Sequence, residues 1–216
     1  MRPVLVLAAV LLLAACGAPE EPDGPLRPAE APAATSDAMP TSTPAAAGLV
    51  TTRWPVTVLD DGDGAELCAG GVLDSLPPQC GGPVLAGWAW SEHAGDFQRV
   101  HGVRWGEFVV TGRFDGEVFT PTEVTPVALF DPPPTDTELD PDLDPTSHPL
   151  RTGVTEVDLR RIQRELSDLP GLQSSWAENG AVAVTVLYDD GSLQKWADRT
   201  YGDGLVVVSS ALVEVG

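Results

Sequence analysis

Few side chains in this 216-residue chain combine the types and spacing that chemistry needs. Cys68 and Cys80 enclose the segment Ala69 to Gln79. A redox pair would need CxxC spacing at a helix start to lower a thiol pKa, and this spacing is too wide. A zinc site would need two further ligands, and no histidine stands close by. Asp60, Asp61, Asp63 and Glu66 suggest a calcium loop. Counted from Asp61, however, the sixth residue is Glu66 and the twelfth Val72, where an EF-hand needs Gly and Glu. The run therefore reads as an Asp- and Gly-rich turn, with weak Ca²⁺ binding as the alternative. Asp136, Glu138, Asp140, Asp142 and Asp144 alternate with prolines that oppose the curling of a coordination shell, so they read as a solvated spacer. No metal site is expected.

His93, His101 and His148 fall in apparent loops, without a GxSxG elbow or an HExxH helix. Phosphate-cradling GxGxxG and GxxxxGK[ST] loops are missing as well. No catalytic residue, no cofactor and no enzymatic activity are expected. Trp54, Trp88, Trp90 and Trp105 remain. The alternation of a strand would put Trp88 and Trp90 on one face. That face reads first as core, because a small domain needs large apolar side chains. A ligand platform for sugar rings or a small molecule is the alternative.

Cys16 is a different case. It follows Arg2 and the apolar run Val4–Ala15. Twelve residues make a helix of roughly 18 Å, short of the ~30 Å hydrocarbon core, so the run fits the apolar region of a secretory signal. Leu13-Ala14-Ala15-Cys16 resembles the lipobox of bacterial lipoproteins. That resemblance implies cleavage between Ala15 and Cys16 and a diacylglyceryl group on the Cys16 thiol. Two or more long acyl chains anchor stably where one does not. The expected address is the extracytoplasmic face of the cell membrane, with the acyl chains on Cys16 as the membrane contact. Cys68 and Cys80 are then left as each other's partner in an oxidising compartment. Closing so short a loop removes about 3 kcal/mol of unfolded-state entropy.

Removal of the signal leaves roughly 200 residues, enough for one or two small domains. The chain carries 12 basic and 32 acidic residues, a formal net charge of −20, and one lysine, Lys195. Such a surface repels nucleic acid and anionic headgroups, so neither is an expected partner.

Residues 1–15 read as signal and 16–51 as the lipidated cysteine plus a disordered Pro/Ala/Thr-rich tether. The tether has too few large apolar residues to offset the entropy of ordering. Residues 52–127 read as a mainly β domain. Its candidate strands are Val56–Leu59, Glu66–Cys68, Pro83–Trp90, Val103–Phe114 and Glu117–Thr122, with Asp115-Gly116 as a hairpin turn. Residues 128–152 form an acidic, Pro-rich linker. Residues 153–216 change period: Leu159, Ile162, Leu166 and Leu169 repeat at helical spacing behind a Thr155/Asp158 capping box. Strands follow at Leu172–Glu178 and Ala181–Tyr188, then a helix from about Ser192 to Gly202 and a last strand Leu205–Val213. The expected fold is α+β: a small barrel or sandwich, then a compact α-β-β-α-β module.

Asp-Asp-Gly-Asp-Gly-Ala-Glu-Leu-Cys at 60–68, Leu-Pro-Pro-Gln-Cys-Gly-Gly-Pro at 76–83 and Val-Thr-Gly-Arg-Phe-Asp-Gly at 110–116 resemble a group of uncharacterised actinobacterial secreted proteins and lipoproteins. The resemblance implies a Cys68–Cys80 bridge in an exported β domain and brings no activity with it. The 110–116 hairpin is also similar to part of an OB-type barrel. The expected role is non-enzymatic binding or scaffolding in the cell envelope, toward an unidentified protein or glycan. Two alternatives stand beside it: a glycan or small-molecule sensor using the Trp-rich domain, and a regulatory or inhibitor-like module acting on an exported protein. The last rests on a loose similarity of the α-β-β-α-β order to protease prodomains.

Overall fold

The fold is organised around one long strand. In the computed structural model, which describes residues 38–132 and 153–215, β6 (Val103–Phe114) alternates strictly from Gly106 onward. Phe108, Val110 and Phe114 are buried, while Glu107 and Arg113 face solvent, the two-residue period of a half-buried strand. One edge of β6 pairs antiparallel with β2 (Val56–Asp60) and, further along, with β1 (Val50–Thr52). β6 also pairs antiparallel with β5 (Gln98–Val100) and β7 (Val118–Pro126).

From β2 the sheet continues through β3 (Ala65–Cys68) to β4 (Val84–Leu85), which lies parallel to β7. The path β6-β2-β3-β4-β7 therefore returns to β6 and closes a five-stranded barrel. Its single parallel pair and strand order are those of an OB-type barrel. Closure bends β7, where Thr111 faces Glu123 but Gly112 faces Pro121. A Cβ on Gly112 would lie 2.6 Å from the Phe119 ring, so only glycine fits at this corner.

The gap between β1 and β2 is filled by a side chain. Thr52, 1% exposed, accepts a hydrogen bond from the Val110 N–H at 3.1 Å through Oγ1. This satisfies a buried donor just where the chain leaves the ladder at Arg53–Pro55.

The second sheet is β8 (Leu172–Glu178), β9 (Ala181–Val186) and β10 (Val206–Ser210), in the order β10-β9-β8. β8 and β9 form a hairpin across Asn179 and Gly180. Both have positive φ, 49° and 80°, as a primed two-residue turn requires. Helix α1 (Glu156–Glu165) begins on the Thr155/Asp158 capping box, and a 3-10 turn continues it through Asp168. Helix α2 (Ser192–Tyr201) is held at its start by Asp189, whose carboxylate accepts from the N–H groups of Leu193 and Gln194 at 2.9 and 3.2 Å. Leu159, Ile162 and Leu166 from the first helical segment and Leu193 and Trp196 from α2 pack with Val182, Val184 and Val186 of β9. The order along this part is α-β-β-α-β, and the protein is α+β.

Both outer strands of this small sheet meet a glutamine from a helix. Gln163 of α1 donates to the Ser175 carbonyl at 2.8 Å. Gln194 of α2 donates to the Val206 carbonyl and accepts from the Val208 N–H, at 3.0 and 2.7 Å. Strand edges left open are templates for pairing with another chain, and these amides occupy part of each.

The expected last strand, Leu205–Val213, is instead two strands. The chain bends at Ala211, and β11 (Leu212–Glu214) leaves the second sheet to pair antiparallel with β1. Leu212 is fully buried with the barrel core, which also includes Leu187 and Tyr188 just past the end of β9. Tyr188 donates from its hydroxyl to Glu214 at 3.0 Å. The parts read as 52–127 and 153–216 thus share a sheet and a core, and all described residues fall within one compact unit, Thr35–Gly216.

Part of the stretch read as tether, residues 38–51, packs on the fold. β1 starts at Val50; Ala46 packs on the barrel core and donates to Phe114 O at 2.9 Å, and Met39 packs on the second core. These small or single apolar residues carry no periodic pattern, and their order comes from the surfaces they lie against. Ala15, Cys16, the acidic run 136–144 and His148 lie outside the described residues.

Candidate functional site

The end of the barrel between β4 and β6 gathers an aromatic cluster of Trp88, Trp90, Phe97 and Phe108. The segment expected as a strand over Pro83–Trp90 is a strand only at Val84–Leu85. Gly87 takes φ 76°, which turns the chain out of the sheet, and Trp90–His93 forms a 3-10 turn. Trp88 and Trp90 therefore do not share a strand face. They still meet, edge to face, with ring centroids 5.4 Å apart. Trp90 is 6% exposed and packs against Phe97 and Phe108. Its burial leaves no ring face for a ligand. Trp88 is half-buried, with His93 stacked on it at 4.3 Å and Phe108 edge-on at 5.2 Å. The Trp88 indole N–H is sealed from solvent and has no acceptor.

Asp60 anchors this cluster. Trp90 Nε1 donates to its Oδ2 at 2.8 Å, Arg104 donates to the same oxygen at 2.6 Å, and the Gly62 N–H donates to Oδ1 at 2.9 Å. The Arg104 guanidinium carbon also lies 5.7 Å from the Trp90 ring centroid. Burial alone pushes the Asp60 carboxyl up. The hydrogen bonds from Gly62 and Trp90 and the Arg104 charge outweigh it, and the net effect is a pKa below the ordinary carboxylate value.

With Asp60 so engaged, the run 60–66 does not converge. Asp61 and Asp63 are exposed in the turn, and Glu66 sits on β3. Among the described residues no group of three or more His, Cys, Asp or Glu side chains is placed to hold a metal ion. His101 forms the β5–β6 turn with φ 52°, far in role from His93.

Cys68 and Cys80 are joined as a disulfide, with Cα atoms 5.8 Å apart. The bridge closes a loop carrying Leu73 and Leu76, which are 64% and 73% exposed. Within it the Leu73 N–H donates to Gln79 O at 2.8 Å.

Two open recesses flank this barrel end. The larger, about 490 Å³, crosses the outer face of β6 at Trp105 and Glu107, with Phe97 and Asp96 on one side and Val72 and Val127 among its other walls. The smaller, about 410 Å³, is lined by Trp88, Glu92, His93 and Glu123 among others. Asp96 and Pro126 line both. Sequence reasoning identified Trp88 and Trp90 but missed Asp60–Arg104 and the Trp105/Glu107 floor. The alternation of β6 was the available signal, since it places 105 and 107 together on the outside.

No protein-family model matches the chain, and no curated protein or solved structure is significantly similar to it.

Proposed function

We propose that this chain is a lipid-anchored protein of the extracytoplasmic face of the cell membrane, in which the OB-like barrel serves binding or scaffolding rather than catalysis. The observation that carries this reading is Leu13-Ala14-Ala15-Cys16 at the end of a short apolar run. An acylated Cys16 supplies the anchor. No helix among the described residues is long and apolar enough to cross a membrane. The Cys68–Cys80 bridge is compatible with an oxidising compartment. The recess lined by Trp88 and His93, and the one at Trp105 and Phe97 that shares Asp96 and Pro126 with it, offer the concave, partly aromatic surface that ligand sites use.

A second reading, a glycan or small-molecule sensor, draws on Trp88 and Trp105 in the walls of those recesses. Trp90 contributes nothing to it. The regulatory reading rests on the α-β-β-α-β order alone.

Fractionation of cells producing the wild-type chain and Cys16→Ser tests the anchor. Wild type partitions with membranes, and the variant is unprocessed and loses its acyl-dependent mass. Identical processing and partitioning of the two would overturn the reading.

A further inference from the structure

We infer that the paired recesses bind an extended polypeptide segment carrying two or more arginine or lysine side chains. This deepens the reading of the barrel as a binding module and rests on it. The floor of the larger recess follows from strand alternation. Phe108 points into the core, so Trp105 and Glu107 stand together on the outer face of β6, opposite Leu59 and Thr57 of β2. Trp105 and Phe97 supply aromatic surface there, and Asp96 and Glu107 supply negative charge. In the smaller recess the Trp88–His93 stack lies beside Glu92 and Glu123.

Among the described residues, neither recess has a lysine or arginine in its lining. Arg104, next to Trp105 in the chain, is ion-paired with Asp60. Carboxylates beside aromatic rings attract cations through charge and through the ring quadrupole. Because Asp96 and Pro126 line both recesses, a chain crossing them can put one basic side chain in each, which a single small cation cannot do.

The test is a titration of the purified full chain, in nonionic detergent, with blocked tetra-arginine peptide and with blocked arginine amide. Binding is followed through the indole N–H resonances of Trp88 and Trp105. The peptide should bind at least tenfold more tightly than the monomer and shift both indoles. The double variant Asp96→Asn/Glu107→Gln should weaken it at least fivefold with the melting temperature unchanged. Asp61→Asn/Asp63→Asn removes the same charge in the β2–β3 turn and should leave binding within twofold of wild type. Equal loss in both double variants would mean that net charge alone attracts the peptide, and would overturn the inference. Equal affinity for monomer and peptide would overturn it in favour of a small cation, and no shift at either indole would overturn it outright. Acylation of Cys16 is read by mass on the same sample, so failure here and failure of the anchor are separate results.

Discussion

The indole N–H of Trp90 donates to Asp60 Oδ2 at 2.8 Å, joining residues thirty apart in the chain. Asp60 ends β2 and Trp90 opens the 3-10 turn after β4, so the bond pins the aromatic end of the barrel to its first strand. Replacing Asp60 with Ala strands the Trp90 and Arg104 donors. Because Arg104 is about one-third exposed, the expected loss is about 2 kcal/mol rather than that of a fully buried pair. Urea unfolding of Asp60→Ala and wild type measures it.

The same carboxylate sets a pH dependence. Its folded pKa lies below the ordinary value, so its contribution is complete above the unfolded pKa, about 4, and fades as pH falls through the folded value. The stability difference between wild type and Asp60→Asn should be constant from pH 7 to 5 and shrink only below about pH 4. A difference that shrinks near neutrality would show that another group carries it.

Thr52→Val keeps the shape at a fully buried position and removes the acceptor of the Val110 N–H. An orphaned buried donor costs about 1–3 kcal/mol. Hydrogen exchange at Val110 should accelerate, while Thr52→Ser should retain most of the wild-type protection.

Reduction of Cys68–Cys80 should lower stability by about 3 kcal/mol, the loop-closure value for so short a loop. Calorimetry of the oxidised protein and of Cys68→Ser/Cys80→Ser reads the difference.

β11 couples the two sheets, and its deletion tests that coupling. Removing residues 211–216 takes away fully buried Leu212 and the Tyr188–Glu214 hydrogen bond. Wild type should unfold in one transition as followed by Trp90 in the barrel and Trp196 on α2. The truncated chain should lose barrel protection as well as protection in the second sheet. Separate wild-type transitions would show that the shared strand does not make them cooperative.

Much of this architecture is written locally. The Thr155/Asp158 capping box, the Asn179-Gly180 turn and the alternating β6 are each specified by residues within a few positions of one another, and sequence reading finds them. β1, β5 and β11 are three residues long and carry too few positions for a period to register. Their pairing is decided by distant partners: β11 meets β1 about 160 residues away in the chain, a contact that no local pattern encodes. Gly87 and the 3-10 turn after it misplaced Trp88 and Trp90 for a related reason, because a β-rich composition was read through a turn. Asp60 looked like one of several turn aspartates. Only the folded chain separates it, by bringing Trp90 and Arg104 to it and leaving Asp61 and Asp63 in solvent.

The proposed anchor is tested most directly by the mass of the N-terminal peptide of the protein isolated from the membranes of cells that make it. The account predicts a chain beginning at Cys16, its thiol carrying a diacylglyceryl group. A chain that retains Met1 and an unmodified Cys16 would contradict it.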